Sequence, residues 1–594
     1  MILQSLYELY DRLSYDPDYD IAPPGYSLQK IAFRVVLKPD GTLHDIEDAR
    51  LQIEKKKVPR QIQVPGTTKP SGSGFNPCFL WDNTGYMLGY KPQDNDPRRT
   101  QRSFQSFRKK HLSLLSEIDC PAYHAVCQFL GTWNPERASG YPVLGEAAVG
   151  FGVFQIVGQL GYVHEDPVVA GWWLKQQQQA VAGTQGQCLI TGQIAPIARL
   201  QPKIKRVGTQ GESLLVSFND SSYESYGKEQ SFNAPVSEHA AFRYATALNA
   251  LLDGPKSYRH RFSLADATVI FWTEEPTLTE DIFAQFAVQG SLVSQNQQVQ
   301  DDELRHKLEL FLRSLRKGKE AYAEIEKNPD QTPFFILGLT GQAKGRIGVR
   351  FFYRDTLSHL LDNLRQHYTD MSIEREYGPE AKRPDPEFPS LRQLLDETCP
   401  RLKEKADRDK IPPILSGPLL RAVITGTQYP AGLFDAVSRR IHADKTINYV
   451  RASIVKGYLT RNQRKEISMG LDLNRKDPSY RLGRLFAVLE KTQGDALGKL
   501  NASIRDRFYS SASATPGVVF PRLLRTYQHH LARMEKGKVG REMLVREILD
   551  PLTSFPSHLN LTEQGLFAIG YYHQMRDLWT SKQDKAEDQG GDQT

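Results

Sequence analysis

The stretch TKPSGSGFNPCFLW, residues 68–81, carries polar side chains suited to nucleic acid in a segment that has no hydrophobic periodicity. Lysine donates to base acceptors or phosphate, and asparagine both donates to and accepts from a base edge. Lys69 and Asn76 are therefore the candidate base-reading residues. Four further candidates carry hydroxyl groups that could hold phosphate: Thr67, Thr68, Ser71 and Ser73. The alternative is an ordinary solvated connection between strands.

A second basic segment, GQAKGRIGVRFFYR, predicts a glycine-rich turn between two strands. Lys344 and Arg346 lie at its tip, and Arg350 and Arg354 follow at strand spacing. We expect these side chains to contact phosphates, with the tip as the second choice for base reading. The alternative is a polar sheet face.

Two helical patterns carry further basic residues. Residues 99–110 predict an amphipathic helix with Phe104 and Phe107 on its inner face, and VRASIVKGYLTRNQRK predicts a second helix with a basic flank. In both cases the alternative is a solvated helix face. The candidate phosphate contacts on these helices are Arg99, Arg102, Arg108, Lys109, Lys110, Arg451 and Lys456.

The sequence contains none of the catalytic motifs GxxxxGK[ST], HExxH, GxSxG or HxE…PCxxC. The glycines of residues 338–348 lie in a strand-to-strand turn, whereas a dinucleotide site requires a strand-to-helix turn. The five cysteines form no CxxC pair. We therefore predict a binding protein that is not an enzyme and uses no metal or cofactor. A nuclease or RNA-processing enzyme is the alternative.

The elements that position these residues predict an α+β fold. Short antiparallel strands and hairpins mix with helices over residues 1–385, and a helical bundle follows over 391–580. FLWDNTGYMLGY predicts a hairpin, so the Lys69 segment would connect strands at both ends. Residues 371–390 are polar and contain proline, which predicts a linker, and residues 581–594 predict a disordered tail.

The overall composition is that of a globular chain with a mild basic excess. Of 594 residues, 39% are hydrophobic, and the net charge of +7 permits a polyanionic partner without proving one. No apolar run approaches the roughly 20 residues that a membrane span needs. With few cysteines and no signal peptide, the sequence predicts a cytoplasmic protein that does not bind membranes.

Three blocks together resemble a known family. They are SGFNPCFLWDNTGYMLGY, FFILGLTGQAKGRIGVRFF and the long segment from LDLNRKDPSYRLGRLF to QHHLARM. These blocks resemble the large subunit of the type I-C CRISPR Cascade complex, and the resemblance spans nearly the whole chain. The 371–390 segment and the last residues carry little of it.

The resemblance implies a non-enzymatic subunit of an RNA-guided, antiviral DNA surveillance complex. Such a subunit reads the protospacer-adjacent motif in duplex DNA, helps open the duplex, guides the displaced strand and recruits a helicase–nuclease. Pairing with the guide RNA reads the target, while protein reads motif and shape. The implied partners are the guide-end-binding, backbone and small subunits, guide RNA, double-stranded target DNA and its displaced strand. A purely structural assembly subunit without base reading remains an alternative.

Met469 lies in a polar stretch just before a helical pattern that starts near Leu482. In the resembled family, small subunits arise from an internal start within the large-subunit gene. The resemblance therefore implies that Met469 starts a small subunit comprising residues 469–594. Its expected DNA-facing charges are Arg481, Arg484, Arg505, Arg507, Arg522 and Arg525.

Overall fold

The computed structural model describes residues 1–53, 56–66, 69, 74–146, 150–179, 184–207, 212–218, 220–264, 267–277, 280, 283, 330–342, 346–378, 381–402, 405–498 and 501–580. Thr67, Thr68, Ser71, Ser73, Lys344 and the predicted tail at 581–594 lie outside these residues. The chain divides into two compact units. Unit 1 comprises Met1–Ser257 and Gly341–Gly348, and unit 2 comprises Tyr258–Thr340 and Val349–Thr594.

Unit 1 combines small sheets with helices. Its helices are α1 (Ile2–Tyr15), α2 (Thr84–Met87), α3 (Pro97–Ser113), α4 (Pro121–Thr132), α5 (Pro142–Glu146), α6 (Pro167–Gln179) and α7 (Glu238–Asp253). Its strands are β1 (Tyr26–Leu37), β2 (Leu43–Asp48), β3 (Leu51–Ile53), β4 (Lys56–Val58), β5 (Arg60–Pro65), β6 (Trp81–Asp82), β7 (Phe151–Ile156), β8 (Gln185–Gln187), β9 (Ile194–Pro196), β10 (Lys203–Lys205) and β11 (Glu212–Leu214).

The main sheet of unit 1 is built around the long strand β1. The order is β2-β1-β7-β6, and β5 also pairs with β1. The β1–β2 connection turns at Gly41, whose φ of +79° suits glycine. Helices α3 and α4 cover this sheet with a core that includes Phe107 and Tyr123. This core holds α3. The strands β5 and β6, on either side of residues 66–80, pack in a second apolar cluster through Ile62, Val64 and Trp81. We call residues 66–80 the Lys69 loop, of which the structure describes 66, 69 and 74–80.

Unit 2 begins with strands and continues as helices. Its strands include β12 (Arg261–Leu264), β13 (Ala267–Thr273), β14 (Pro333–Gln342), β15 (Arg346–Thr356), β16 (Arg401–Leu402) and β17 (Lys405–Ala406); Gly341–Gly348, at the ends of β14 and β15, belong to unit 1. Its helices include α8 (Leu357–Met371), α9 (Leu391–Asp396), α10 (Pro413–Thr425), α11 (Ala431–Asp444), α12 (Tyr449–Gln463), α13 (Pro478–Leu497), α14 (Ile504–Ala514), α15 (Pro516–Arg533), α16 (Lys538–Leu549) and α17 (Leu561–Trp579).

One apolar core runs through unit 2, from Phe271 and Phe334 in the strands to Leu485 and Phe567 in the last helices. Helices α13 and α17 approach so closely that a Cβ on Gly483 would overlap the carbonyl oxygen of Phe567. The α+β class and the mainly helical C-terminal region are confirmed.

Two sequence predictions differ from the structure. Residues 79–90 do not form a hairpin: Asn83 accepts a hydrogen bond from the Tyr86 amide and caps α2, so Asn-Thr-Gly starts a helix. Residues 371–390 were predicted as a linker, but Ile373, Phe388 and Ser390 are buried. The two units accordingly divide elsewhere than at 385–391, because the strands from residue 261 onward share a core with the helices that follow them.

Candidate nucleic-acid interface

Asp82 is the buried carboxylate that organises the Lys69 loop. It follows Trp81 on the short strand β6, and its side chain is fully buried. Its oxygens form an ion pair with the Lys69 ammonium and accept hydrogen bonds from the amides of Cys78 (3.0 Å) and Asn83 (2.7 Å). Burial raises the pKa of the Asp82 carboxyl, and the nearby Lys69 charge opposes that rise.

Two lysines hold the main chain of the loop. Lys69 Nζ donates to the Asn76 carbonyl at 3.2 Å and lies 3.5 Å from the centre of the Tyr86 ring. Lys110, from the last turn of α3, donates to the Pro77 carbonyl at 2.8 Å. Burial lowers the pKa of Lys110. The described part of the loop, residues 74–80, is therefore fixed to its own unit by charged side chains.

The structure separates the two predicted base-reading residues. Lys69 has only 14% of its side chain exposed and is bound to Asp82, so a base contact by Lys69 would require that ion pair to break. Asn76 is exposed, and within the described part of the chain it is the main-chain carbonyl of Asn76 that Lys69 binds. Its amide can reach a ligand without any rearrangement of the loop.

Helix α3 presents a basic face beside this loop. Asp96 caps its first turn by accepting from the Arg99 amide at 3.1 Å, and buried Phe104 and Phe107 fix its inner face. The helix contains six lysines and arginines and no aspartate or glutamate. Arg102 and Lys109 are exposed, whereas Arg108 donates to the Gly131 carbonyl at 2.8 Å.

The inner face of α3 is held by a neutral histidine. His111 Nε2 accepts from the Leu80 amide at 2.9 Å, and Nδ1 lies 2.8 Å from the Phe107 carbonyl, which requires the proton on Nδ1. Burial lowers the pKa of His111 to about 3. The histidine thus joins α3 to the end of the Lys69 loop at Leu80. Sequence reasoning missed this link, because Leu80 and His111 are 31 residues apart in the chain.

The predicted basic turn keeps its arginines exposed. Arg346 pairs through its main chain with Leu214, and its guanidinium lies 5.3 Å from the centre of the Tyr223 ring, within unit 1. In unit 2, Arg350 and Arg354 are exposed on β15, and Arg354 lies 5.8 Å from the centre of the Phe335 ring. These positions permit phosphate contacts.

Four of the predicted phosphate contacts require correction, because their side chains are buried: Arg451, Lys456, Arg481 and Arg484. Arg451 pairs with Glu397 at 2.8 Å and Asp444 at 2.6 Å. Lys456 donates to the Asp370 carbonyl at 3.1 Å, and burial lowers its pKa. Arg484 donates to Gln574 at 3.0 Å. The carboxylates and carbonyls that these groups bind in the fold could not be located from sequence.

The remaining predicted charges lie in the last helices. Arg507, Arg522 and Arg525 are exposed, whereas Arg505 is half-buried with Glu490 at 3.5 Å. Met469 is 56% exposed and lies in the non-helical stretch between α12 and α13. A chain that begins at Met469 would therefore start in a loop and contain helices α13–α17, as predicted. Whether that start is used stays a prediction.

The structure also bears on the alternatives. Among the residues that it describes, no group of three or more His, Cys, Asp or Glu side chains is placed to hold a metal ion. Within the same residues, no helix combines the length and apolar character needed to cross a bilayer.

Comparison with known proteins identifies the family. None of the curated proteins compared with the chain matches it. The family model described as CRISPR-associated protein (Cas_Csd1) matches residues 6–579, which cover both compact units. This match spans nearly the whole chain, so the chain belongs to the CRISPR-associated Csd1 family and is a protein of the Cascade type.

Proposed function

We propose that this protein is the large subunit of a type I-C Cascade complex and reads a short motif in duplex DNA next to the target. Family membership supports a CRISPR complex, and the fixed Lys69 loop beside the acid-free helix α3 supports motif reading. The subunit then helps open the duplex, guides the displaced strand and recruits the helicase–nuclease. It acts in the cytoplasm with guide RNA and the other Cascade subunits.

In this proposal the predicted residues have separate roles, which their exposure and contacts support. Asn76 reads a base edge, because its amide is exposed while its carbonyl is held by Lys69. Arg102 and Lys109 contact phosphates without reading sequence, because they lie exposed on α3. Lys69 and Lys110 hold the loop in position. The predicted residues thereby divide into one reader, Asn76, two phosphate contacts and two supporting lysines.

The test is binding of the assembled, guide-loaded complex to duplexes that differ only in the motif. Asn76→Ala should cost about 1–3 kcal/mol of discrimination, which is the scale of one good base contact. Lys69→Ala should weaken discrimination by releasing the Asn76 carbonyl. If both variants keep full affinity and motif preference, the reader lies elsewhere, and the turn at Arg346 becomes the next candidate.

The proposal also requires that cleavage is supplied by a partner. Purified chain incubated with labelled DNA or RNA and magnesium should leave both intact. Cleavage that a point mutation abolishes would make the protein a nuclease or a guide-RNA-processing enzyme instead. Normal complex assembly together with motif-independent DNA binding by the unmodified complex would favour a purely structural subunit.

We further propose that Met469 starts a small subunit comprising residues 469–594. Support comes from the exposed loop position of Met469 and from the whole helices α13–α17 that follow. The native gene with a C-terminal tag should yield a second, short tagged product. Met469→Leu should remove that product and leave the full-length chain. Absence of the short product from the unmodified gene would contradict internal initiation.

A further inference from the structure

Phe75 is an exposed aromatic side chain whose backbone neighbours are fixed. Its side chain is 40% exposed, whereas the next three residues are held by Lys69 on the Asn76 carbonyl, Lys110 on the Pro77 carbonyl and Asp82 on the Cys78 amide. Single exposed apolar residues are common on protein surfaces and need no function. Phe75 differs from such residues, because buried charged groups hold the backbone of the three residues that follow it.

The restraints come at an electrostatic cost. Burial raises the pKa of Asp82 and lowers that of Lys110, so both charged forms are disfavoured by the positions they occupy. Cys78, beside Asp82, has its thiol pKa raised to about 12, chiefly by burial. A solvated connection between two strands would gain nothing from such an arrangement. A segment that must hold one side chain in a defined position would gain from these restraints.

The surroundings of Phe75 match a nucleic acid rather than a protein of mixed charge. The Arg99 guanidinium lies 5.4 Å from the centre of the Phe75 ring, and exposed Arg102 is three residues further along α3. Asp94 and Asp96 precede this end of the helix in the sequence, and the Asp96 carboxylate accepts from the Arg99 amide. Aromatic and guanidinium planes together form a platform on which nucleobases stack.

We propose that Phe75 stacks on a nucleobase of the DNA, at a base exposed where the duplex opens beside the motif. The inference rests on the proposed function and adds to it a contact that is independent of base identity, since every base has a π-face. Asn76 reads an edge while the adjacent Phe75 covers a face. Asp82 acts as the positioning residue for both, through Lys69 and the Cys78 amide.

The experiment uses the assembled, guide-loaded complex and duplexes carrying 5-iodouracil at successive positions in and beside the motif. Irradiation should crosslink one of these positions to Phe75, identified by peptide mapping. Phe75→Ala should abolish that crosslink and weaken duplex binding about tenfold or more. Phe75→Tyr should retain both. Tyr15→Ala, which removes an aromatic ring that is 87% exposed at the end of α1, should change neither.

Two further measurements separate the possible failures. If Phe75→Ala binds the duplex with the affinity of the wild type, and the wild-type complex prefers its motif but gives no crosslink to Phe75, the stacking contact is overturned. The proposed function would then still stand. A wild-type complex that binds no duplex would overturn both. Phe75→Ala chains that fail to join the other Cascade subunits in size-exclusion chromatography would show that the ring docks on protein, and would also overturn the proposal.

Asp82→Asn tests the positioning role. The amide keeps one oxygen as an acceptor but cannot form the ion pair with Lys69. We expect a weaker Phe75 crosslink and weaker motif preference, while the salt dependence of binding stays as in the wild type because α3 is untouched. A full-strength crosslink in this variant would show that Asp82 has no part in positioning the ring.

Discussion

The basic residues of α3 and those of helices α12 and α13 differ in how far their side chains are exposed to solvent. On α3, Arg102 and Lys109 are exposed. On α12 and α13, Arg451 and Arg484 are 2% and 0% exposed, and both contact partners within unit 2. The sequences of α3 and α12 looked alike, as helices with a basic flank, and the resemblance implied exposed charges on α13. A basic pattern therefore does not locate a binding surface by itself.

The supply of carboxylates explains the difference. Neither α3 nor α12 contains an acidic residue, so the difference lies in the groups that other elements bring to each helix. Arg102 and Lys109 of α3 remain exposed. Arg451 instead pairs with Glu397, which directly follows α9, and with Asp444, the last residue of α11. Buried charge is tolerated when it is paired, and unpaired charge remains in solvent. The exposed set is therefore the one to test for DNA binding.

Removing the buried arginine should have the largest effect. Arg451→Ala removes the buried guanidinium that pairs with Glu397 and Asp444, although Glu397 keeps its contact with the more exposed Arg401. Breaking this buried pair should lower the free energy of unfolding by about 3 kcal/mol, the lower end of the usual range. Arg102→Ala removes an exposed charge and should change stability by less than about 0.5 kcal/mol. Urea unfolding of the two full-length variants measures both. Equal losses would show that the two regions do not differ as described.

The close approach of α13 and α17 should be the next most sensitive feature. Gly483→Ala would place a Cβ on the Phe567 carbonyl oxygen, so we expect a loss of about 1–3 kcal/mol from forced separation of the helices. Gly494→Ala is the matched control, because that glycine on the same helix has open space and alanine favours helix. Thermal unfolding should rank the control at or above the wild type. The reverse order would contradict the packing.

The buried face of α3 should make the protein sensitive to acid. The pKa of His111 is about 3 in the fold, below its ordinary value near 6.5, so the unfolded chain binds more protons between these pH values. The contribution of His111 is fully present above pH 6.5 and falls by about 2 kcal/mol by pH 5. Unfolding measured across this range should show the decline. His111→Gln should be less stable at pH 7 but have a flatter profile.

The exposed face of α3 should have the smallest effect on stability and a clear effect on binding. The double variant Arg102→Ala and Lys109→Ala should weaken binding to all duplex sequences alike. It should lower the slope of log affinity against log salt by about one unit for each lost contact. Lys38→Ala, an exposed lysine in the β1–β2 turn, should leave the slope unchanged. An unchanged slope in the double variant would show that these two side chains belong to a solvated helix face and do not contact phosphate.

Local patterns predicted much of the secondary structure. Apolar residues recur at helical spacing in residues 1–13, which predicts a helix, and α1 forms there. Ser237 is a preferred cap residue before an apolar helical pattern, and it caps α7. Residues 346–368 form a strand and a helix, as β15 and α8. Each of these signals lies within a few residues of the element that it specifies. The hairpin predicted for FLWDNTGYMLGY was wrong because the same asparagine can occupy a turn or cap a helix. In the fold, Trp81 pairs with Val153 of another strand, and Asn83 caps α2.

The site was predictable as a set of residue types and not as a set of roles. The sequence by itself determined that the polar segment with Lys69 and Asn76 has no hydrophobic periodicity, that α3 carries basic residues without acidic ones, and that the C-terminal region is mainly helical. The tertiary structure decided that Lys69 binds Asp82 thirteen residues away, and that Arg451 binds Glu397 fifty-four residues away. The reason is physical: the state of a charge depends on which groups surround it, and folding alone brings distant carboxylates to one lysine or arginine while leaving another in water.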